Sequence, residues 1–134
     1  MRSHDGDTFY MLAPDLKISG RKGGFSAAQY NGSLYIEVWE SNDLVNWTNQ
    51  RHIKVSDDSA GNTWAPEAYW DDELGEYVVY WASNLYDNDD SSTRTSPSYN
   101  RMMYVTTPDF ITFSKPKTWI DVDRRGQALS LIHI

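Results

Sequence analysis

The chain has 134 residues, 40% of them hydrophobic, which is enough apolar material for one core and too much for a disordered tail. A formal charge of −7 argues against nucleic acid or an anionic membrane surface as partner, since both are gripped by Lys and Arg. Cysteine is absent, so disulfides and thiolate metal sites are excluded, and no apolar run reaches membrane-spanning length.

Side-chain periodicity is close to two throughout, which predicts an all-β chain and no amphipathic helix. Thr8–Ala13 reads as a strand after an Asp5-Gly6 turn, and Gly20–Gly24 and Asn31–Ser33 read as loops. Leu34–Glu40 and Arg51–Val55 are the next strands, joined through Ser41-Asn-Asp-Leu-Val-Asn-Trp47. In that turn the Ser and Asp side chains can accept backbone N–H groups two residues on, and Leu44 and Trp47 would fold back as a plug between sheets. Glu76–Ala82, aromatic and β-branched together, is the strongest strand. A polar loop from Asp87 to Asn100 follows, then strands at Arg101–Thr106 and Lys115–Ile120.

Asn62-Thr-Trp-Ala-Pro-Glu-Ala-Tyr-Trp70 concentrates aromatic rings around one carboxylate. Alternation puts Glu67 and Tyr69 on one face and Trp64, Pro66, Ala68 and Trp70 on the other. Pro66 has no N–H for a ladder, so this strand belongs at a sheet edge or beside a cavity. A carboxylate and flat apolar rings on a cavity wall suit a sugar, whose hydroxyls need acceptors and whose C–H faces need rings; buried tryptophans with a solvated Glu67 is the plainer alternative.

Two stretches recur. Asp43-Leu44-x-x-Trp47-Thr48 returns as Asp109-Phe110-x-x-Phe113-Ser114, 66 residues later, and Gly6-x-x-x-Tyr10-x-x-Ala13 returns loosely as Gly75-x-x-x-Val79-x-x-Ala82 at an offset of 69. Near-equal offsets predict duplicated all-β units of the kind that form propeller blades. Two such units leave edges exposed, so the chain either oligomerises or is a piece of something longer.

Ser41-x-Asp-Leu-x-x-Trp47 followed by Trp64-Ala-Pro-Glu67 and an acidic hairpin into Tyr77-Val-Val-Tyr80 resembles glycoside hydrolase family 43 over roughly residues 8–123. The resemblance implies about two blades of a five-bladed β-propeller, an inverting glycosidase acting on arabinose-, xylose- or galactose-containing saccharides, and no cofactor. It also implies three catalytic carboxylates. The base belongs to an Arg-Asp-Pro-like segment ahead of Thr8, and no Asp-Pro dipeptide occurs here. The tuning aspartate and the acid belong beyond Trp119-Ile-Asp121. No catalytic residue is therefore assigned, and the substrate-binding candidates are Trp64 as a sugar-facing ring, Glu67 in the pocket wall and Asp15 at a strand end. A loop cap is the alternative role for Asp15.

Leu129–Ile134 resembles adaptor-derived sequence, so residues 1–128 are read as a propeller fragment and 129–134 as a non-native tail. His4, His52 and His133 show no metal-ligand spacing, and no metal site is expected. A non-catalytic carbohydrate-binding propeller is the rival reading. A sialidase-like propeller would need an arginine cluster, and Arg21, Arg51, Arg94 and Arg101 are scattered. Nothing in the sequence fixes a compartment.

Overall fold

The computed structural model describes residues 1–121, and the proposed tail at 129–134 and the end of the 1–128 unit lie outside the described residues. The described part is all-β with one short α-helix and one 3-10 turn at Ser91–Thr93. Its strands are β1 (Phe9–Pro14), β2 (Tyr35–Ser41), β3 (Thr48–Lys54), β4 (Trp64–Asp71), β5 (Glu76–Asn84), β6 (Asn100–Thr107) and β7 (Lys117–Ile120). They form two antiparallel meanders, β1-β2-β3 and β4-β5-β6-β7. Two neighbouring antiparallel sheets of three and four strands are consistent with partial propeller blades. None of the described helices is long and apolar enough to cross a membrane.

The core lies between the sheets. Ile36 and Val38 of β2 face Val79 and Trp81 of β5 and Met103 and Val105 of β6, all nearly inaccessible to water. Each such side chain contributes about 1.5–3 kcal/mol of burial. Period-two alternation through Ile36 and Val38 of β2, and from Met103 onward in β6, produces this directly, because every second residue there lands inside.

One element departs from the sequence reading. Gly24–Tyr30 forms a helix, α1, where loop and strand alone are expected. It is seven residues long, too short for a 3.6-residue pattern to register, and its glycine-rich start reads as loop. Gly23 at φ 84° opens it, and Ala27 and Ala28 are buried.

The repeated turns have the same hydrogen bonds. Ser41 Oγ accepts the Leu44 N–H at 2.8 Å, and Asp43 Oδ1 accepts those of Val45 and Asn46 at 2.9 and 2.8 Å. Sixty-six residues on, Thr107 Oγ1 accepts the Phe110 N–H at 2.9 Å, and Asp109 Oδ1 accepts those of Ile111 and Thr112 at 2.9 Å. Leu44 and Phe110 share a left-handed backbone at φ 65° and 57°. Their surroundings differ. Phe110 is the plug, fully buried against Tyr10 and Tyr77, whereas Leu44 is 56% exposed and Trp47 is only half-buried. The expectation that Leu44 and Trp47 close a gap between these sheets is therefore corrected: that gap is closed by their repeat partner.

Donated backbone N–H groups hold the Asp43 carboxyl well below the usual carboxylate range, and those of Thr112 and Ile111 lower Asp109 likewise. A depressed folded-state pKa gives stability that is present above the unfolded value, about 4, and is lost as pH falls below it. The melting temperature should fall between about pH 4 and pH 2. An Asp43→Asn/Asp109→Asn double variant should show a shallower fall in circular-dichroism melts over that range.

Strand pairing refines the repeat. Val38 pairs with Leu12, while Tyr104, its counterpart 66 residues on, pairs with Tyr80, so β1 and β5 correspond at 68 residues, one fewer than the glycine pattern suggests. The glycine misleads because Gly6 and Gly75 occupy different places in their hairpins, closing Gly6 N–H to Ser3 O and Gly75 N–H to Asp71 O. The inward residues Ile36 and Val38 correspond to Met102 and Tyr104, yet β6 turns Met103 and Val105 to the shared core. The sheets meet through opposite faces, the relation between successive blades of a ring.

Candidate functional site

β4 is an edge strand, as Pro66 requires, and it borders a cavity of about 440 Å³ between the sheets. Met1, Tyr10, Met11, Leu12 and Trp47 line one side, and Pro66, Glu67 and Ala68 the other. That volume falls within the range of small-ligand sites.

Glu67 is half-buried, and its Oε2 accepts a hydrogen bond from the Tyr80 hydroxyl at 2.8 Å. The two residues face each other across β4 and β5, and Tyr69 joins them on that face with its ring 6.2 Å from that of Tyr80. Desolvation, reinforced by the bond to Glu67, pushes the Tyr80 hydroxyl up to about 12. Raising the pH from 10 to 12 should therefore remove the pair's contribution, and Glu67→Gln should move Tyr80 ionisation back toward 10, read by ultraviolet difference titration.

Simple alternation misplaces Trp64. A β-bulge separates the pairs Trp64↔Ala82 and Glu67↔Tyr80, with Ala65 at φ 53°. The extra residue brings Trp64 to the face of Glu67 and Tyr69, away from that of Ala68 and Trp70. There its half-buried ring meets Phe25 of α1 at 4.9 Å, and Phe25 is exposed. The helix that periodicity missed thus supplies the second ring of an aromatic platform.

Asp15 is not brought to the cavity that Glu67 lines. Its Oδ2 accepts from Ser33 Oγ at 2.6 Å, tying the end of β1 to the loop before β2. The fold also gathers Asp15, Glu37 and His52, whose candidate ligand atoms lie within 4.8 Å of one another. Glu37 and His52 are direct cross-strand partners, and the His52 ring stacks on Tyr35 at 4.1 Å. Only strand register reveals this grouping; linear spacing hides it.

The arginines serve the fold. Arg94 is buried, stacks on Tyr86 and donates to the carbonyls of Tyr30, Asp58, Ala60 and Asn88 at 2.8–3.2 Å. Arg51 pairs with Glu40, and Arg101 with Asp121 at 3.0 Å. None of these three joins a cluster suited to a sugar carboxylate.

Where β4 begins, the structure holds a buried amide network that the sequence reading overlooked. Asn62 Oδ1 accepts the backbone N–H of Asn84 at 2.6 Å and its side-chain amide at 3.1 Å, while Asn100 Oδ1 accepts from the Asn62 and Asn84 amides at 3.2 and 3.0 Å. The network anchors the stretch that carries Trp64 and Glu67.

Residues 1–132 match the glycosyl hydrolase 43-related family, described as a probable glycosyl hydrolase domain. The chain belongs to this family. An alpha-L-arabinofuranosidase of Bifidobacterium longum subsp. longum is 43% identical over 135 aligned residues, covering 90% of this chain and 12% of the relative. A beta-xylosidase of Formosa agariphila is 32% identical over 80 residues, covering 60% of this chain and 10% of the relative. The chain thus spans about a tenth of the length of these two relatives.

Proposed function

We propose that this chain is part of a longer inverting glycoside hydrolase acting on arabinose- or xylose-containing saccharides, and that it supplies two neighbouring blades and one wall of the substrate cleft. The observation that carries the proposal is Glu67, held by Tyr80 on an edge strand that borders a cavity. Membership of the glycosyl hydrolase 43-related family and the names of both relatives support the substrate class. In this reading Glu67 accepts sugar hydroxyls and the Trp64–Phe25 platform takes a pyranose or furanose face. Asp15 lies at the strand end and would meet only an extended saccharide running past β1.

Inversion needs an acid and a base roughly 6.5–9.5 Å apart with water between them. Glu67 is the one carboxylate lining the described cavity, so the proposal places acid, base and tuning carboxylates on other blades.

The test uses the longer protein on chromogenic arabinosides and xylosides. Glu67→Ala should lower kcat/KM about tenfold or more, the loss of one charge-assisted hydrogen bond to substrate. Unchanged kcat/KM would remove Glu67 from the cleft. Saccharide binding without turnover by the unaltered protein would favour a non-catalytic carbohydrate-binding propeller instead.

A further inference from the structure

Register brings three metal-ligating side chains together on the first sheet. Glu37 of β2 pairs with His52 of β3 on one side and with Ala13 of β1 on the other. Asp15, just past the end of β1, lies two residues beyond Ala13, and alternation returns it to the same face. That face is opposite the one on which Ile36 and Val38 enter the core. None of the three residues lines the cavity that Glu67 borders.

Side chains outside the trio hold each member in place. The Tyr35 ring stacks on the His52 imidazole at 4.1 Å and 6°, which fixes the ring plane. Ser33 Oγ donates to Asp15 Oδ2 at 2.6 Å, and Gln50 Nε2 donates to Glu37 Oε2 at 3.0 Å. Each carboxylate thus keeps its other oxygen for a second partner, and Glu37 Oε1 already meets His52 Nδ1. Hydrogen bonds of this kind orient metal ligands. The charge is also uncompensated. Arg51 is committed to Glu40 and Lys54 to Asp58, so His52 is the counter-charge left to Glu37 and Asp15 among the described residues. The Glu37 side chain is only 14% exposed, which makes its charge costly to leave without a cation.

We propose that Asp15, Glu37 and His52 hold one divalent transition-metal ion of the zinc type. An imidazole nitrogen with two carboxylate oxygens suits zinc and its first-row neighbours, whereas calcium and magnesium take oxygen ligands alone. Ligands about 2.0–2.2 Å from one ion are at most roughly 4.4 Å apart, and these candidate atoms lie within 4.8 Å. A few tenths of an ångström of closure is needed, and the exposed Asp15 side chain is free to supply it. The ion would replace the proton between His52 Nδ1 and Glu37 Oε1. It would staple the end of β1 to β2 and β3. The inference rests on strand register and does not depend on the chain acting on a sugar.

The test titrates the chelator-stripped 134-residue chain with zinc chloride by calorimetry. Saturable binding of a single ion is expected, with a melting temperature that rises with zinc concentration. His52→Ala, Glu37→Gln and Asp15→Asn should each weaken binding about tenfold or more, and Ser33→Ala, which frees Asp15, about tenfold. Asp15→Asn changes an exposed side chain and keeps the fold, so its loss of affinity reads the ligand directly. His4→Ala, a histidine stacked on Trp70 away from the trio, should bind zinc as the unaltered chain does. Absence of saturable zinc binding would overturn the proposal, and so would equal zinc affinity in the unaltered chain and the Asp15→Asn and His52→Ala variants. Calcium bound as tightly as zinc would overturn the assignment to a transition metal.

Discussion

Phe110→Ala should destabilise the protein by about 3–5 kcal/mol, the range for truncating a well-packed aromatic. The ring is fully buried, 4.4 Å from that of Tyr10 and 4.8 Å from that of Tyr77, and it closes the space between the two sheets. Domains of this size are stable by only about 5–15 kcal/mol, so the melting temperature should drop by roughly 10 °C or more. Leu44→Ala provides the internal control. Its turn has the same hydrogen bonds and backbone conformation, but the side chain is 56% exposed, and the cost should stay within about 0.5 kcal/mol. Urea unfolding of both variants measures the contrast. Equal costs would mean that the buried plug is not what joins the sheets.

Asn62→Ala should be the second severe change, at about 2–4 kcal/mol. The side chain is wholly buried and accepts two hydrogen bonds from Asn84 while donating to Asn100. Truncation leaves the Asn84 N–H, inside the sheet, without its partner, and a buried unsatisfied donor pays its full desolvation cost. Asn62→Asp keeps an acceptor for that N–H but places a charge in a buried site, so it should recover only part of the stability. The same denaturant titration reads both variants, and a loss below about 0.5 kcal/mol for Asn62→Ala would show that water or a rearranged loop replaces the amide.

Most strands were legible because their burial follows alternation, as in β2, where Ile36 and Val38 are buried and Glu37 and Trp39 are not. Pro66 likewise placed β4 at an edge, because a missing N–H is a local property. Three features were hidden. A bulge at Ala65 and Pro66 changed the face of Trp64, since one inserted residue reverses every side-chain direction beyond it. Helix α1 was too short and too rich in glycine at its start to show a period. The Asn62–Asn84–Asn100 network depends on residues that meet only through strand register, and polar side chains inside a loop-rich sequence give no sign of burial.

The duplicated turn was readable, whereas its consequence was not. Phe110 is covered because a sheet stands on each side of it, and Leu44 is exposed because the described residues supply a sheet on one side alone. Equivalent faces show the same asymmetry: Tyr104 and Trp119 flank an outer aromatic surface, and Met11, at the rim of the cavity, turns to the face of the first sheet opposite that of Leu12 and Val38. If these are two successive blades of a longer ring, both surfaces are blade interfaces.

Hydroxyl-radical footprinting of the longer protein beside this chain tests that claim most directly. Met11, Leu44, Tyr69 and Trp119, all substantially exposed here, should label readily in the 134-residue chain and be protected about tenfold in the longer protein. Equal labelling of these four side chains in both proteins would contradict the account.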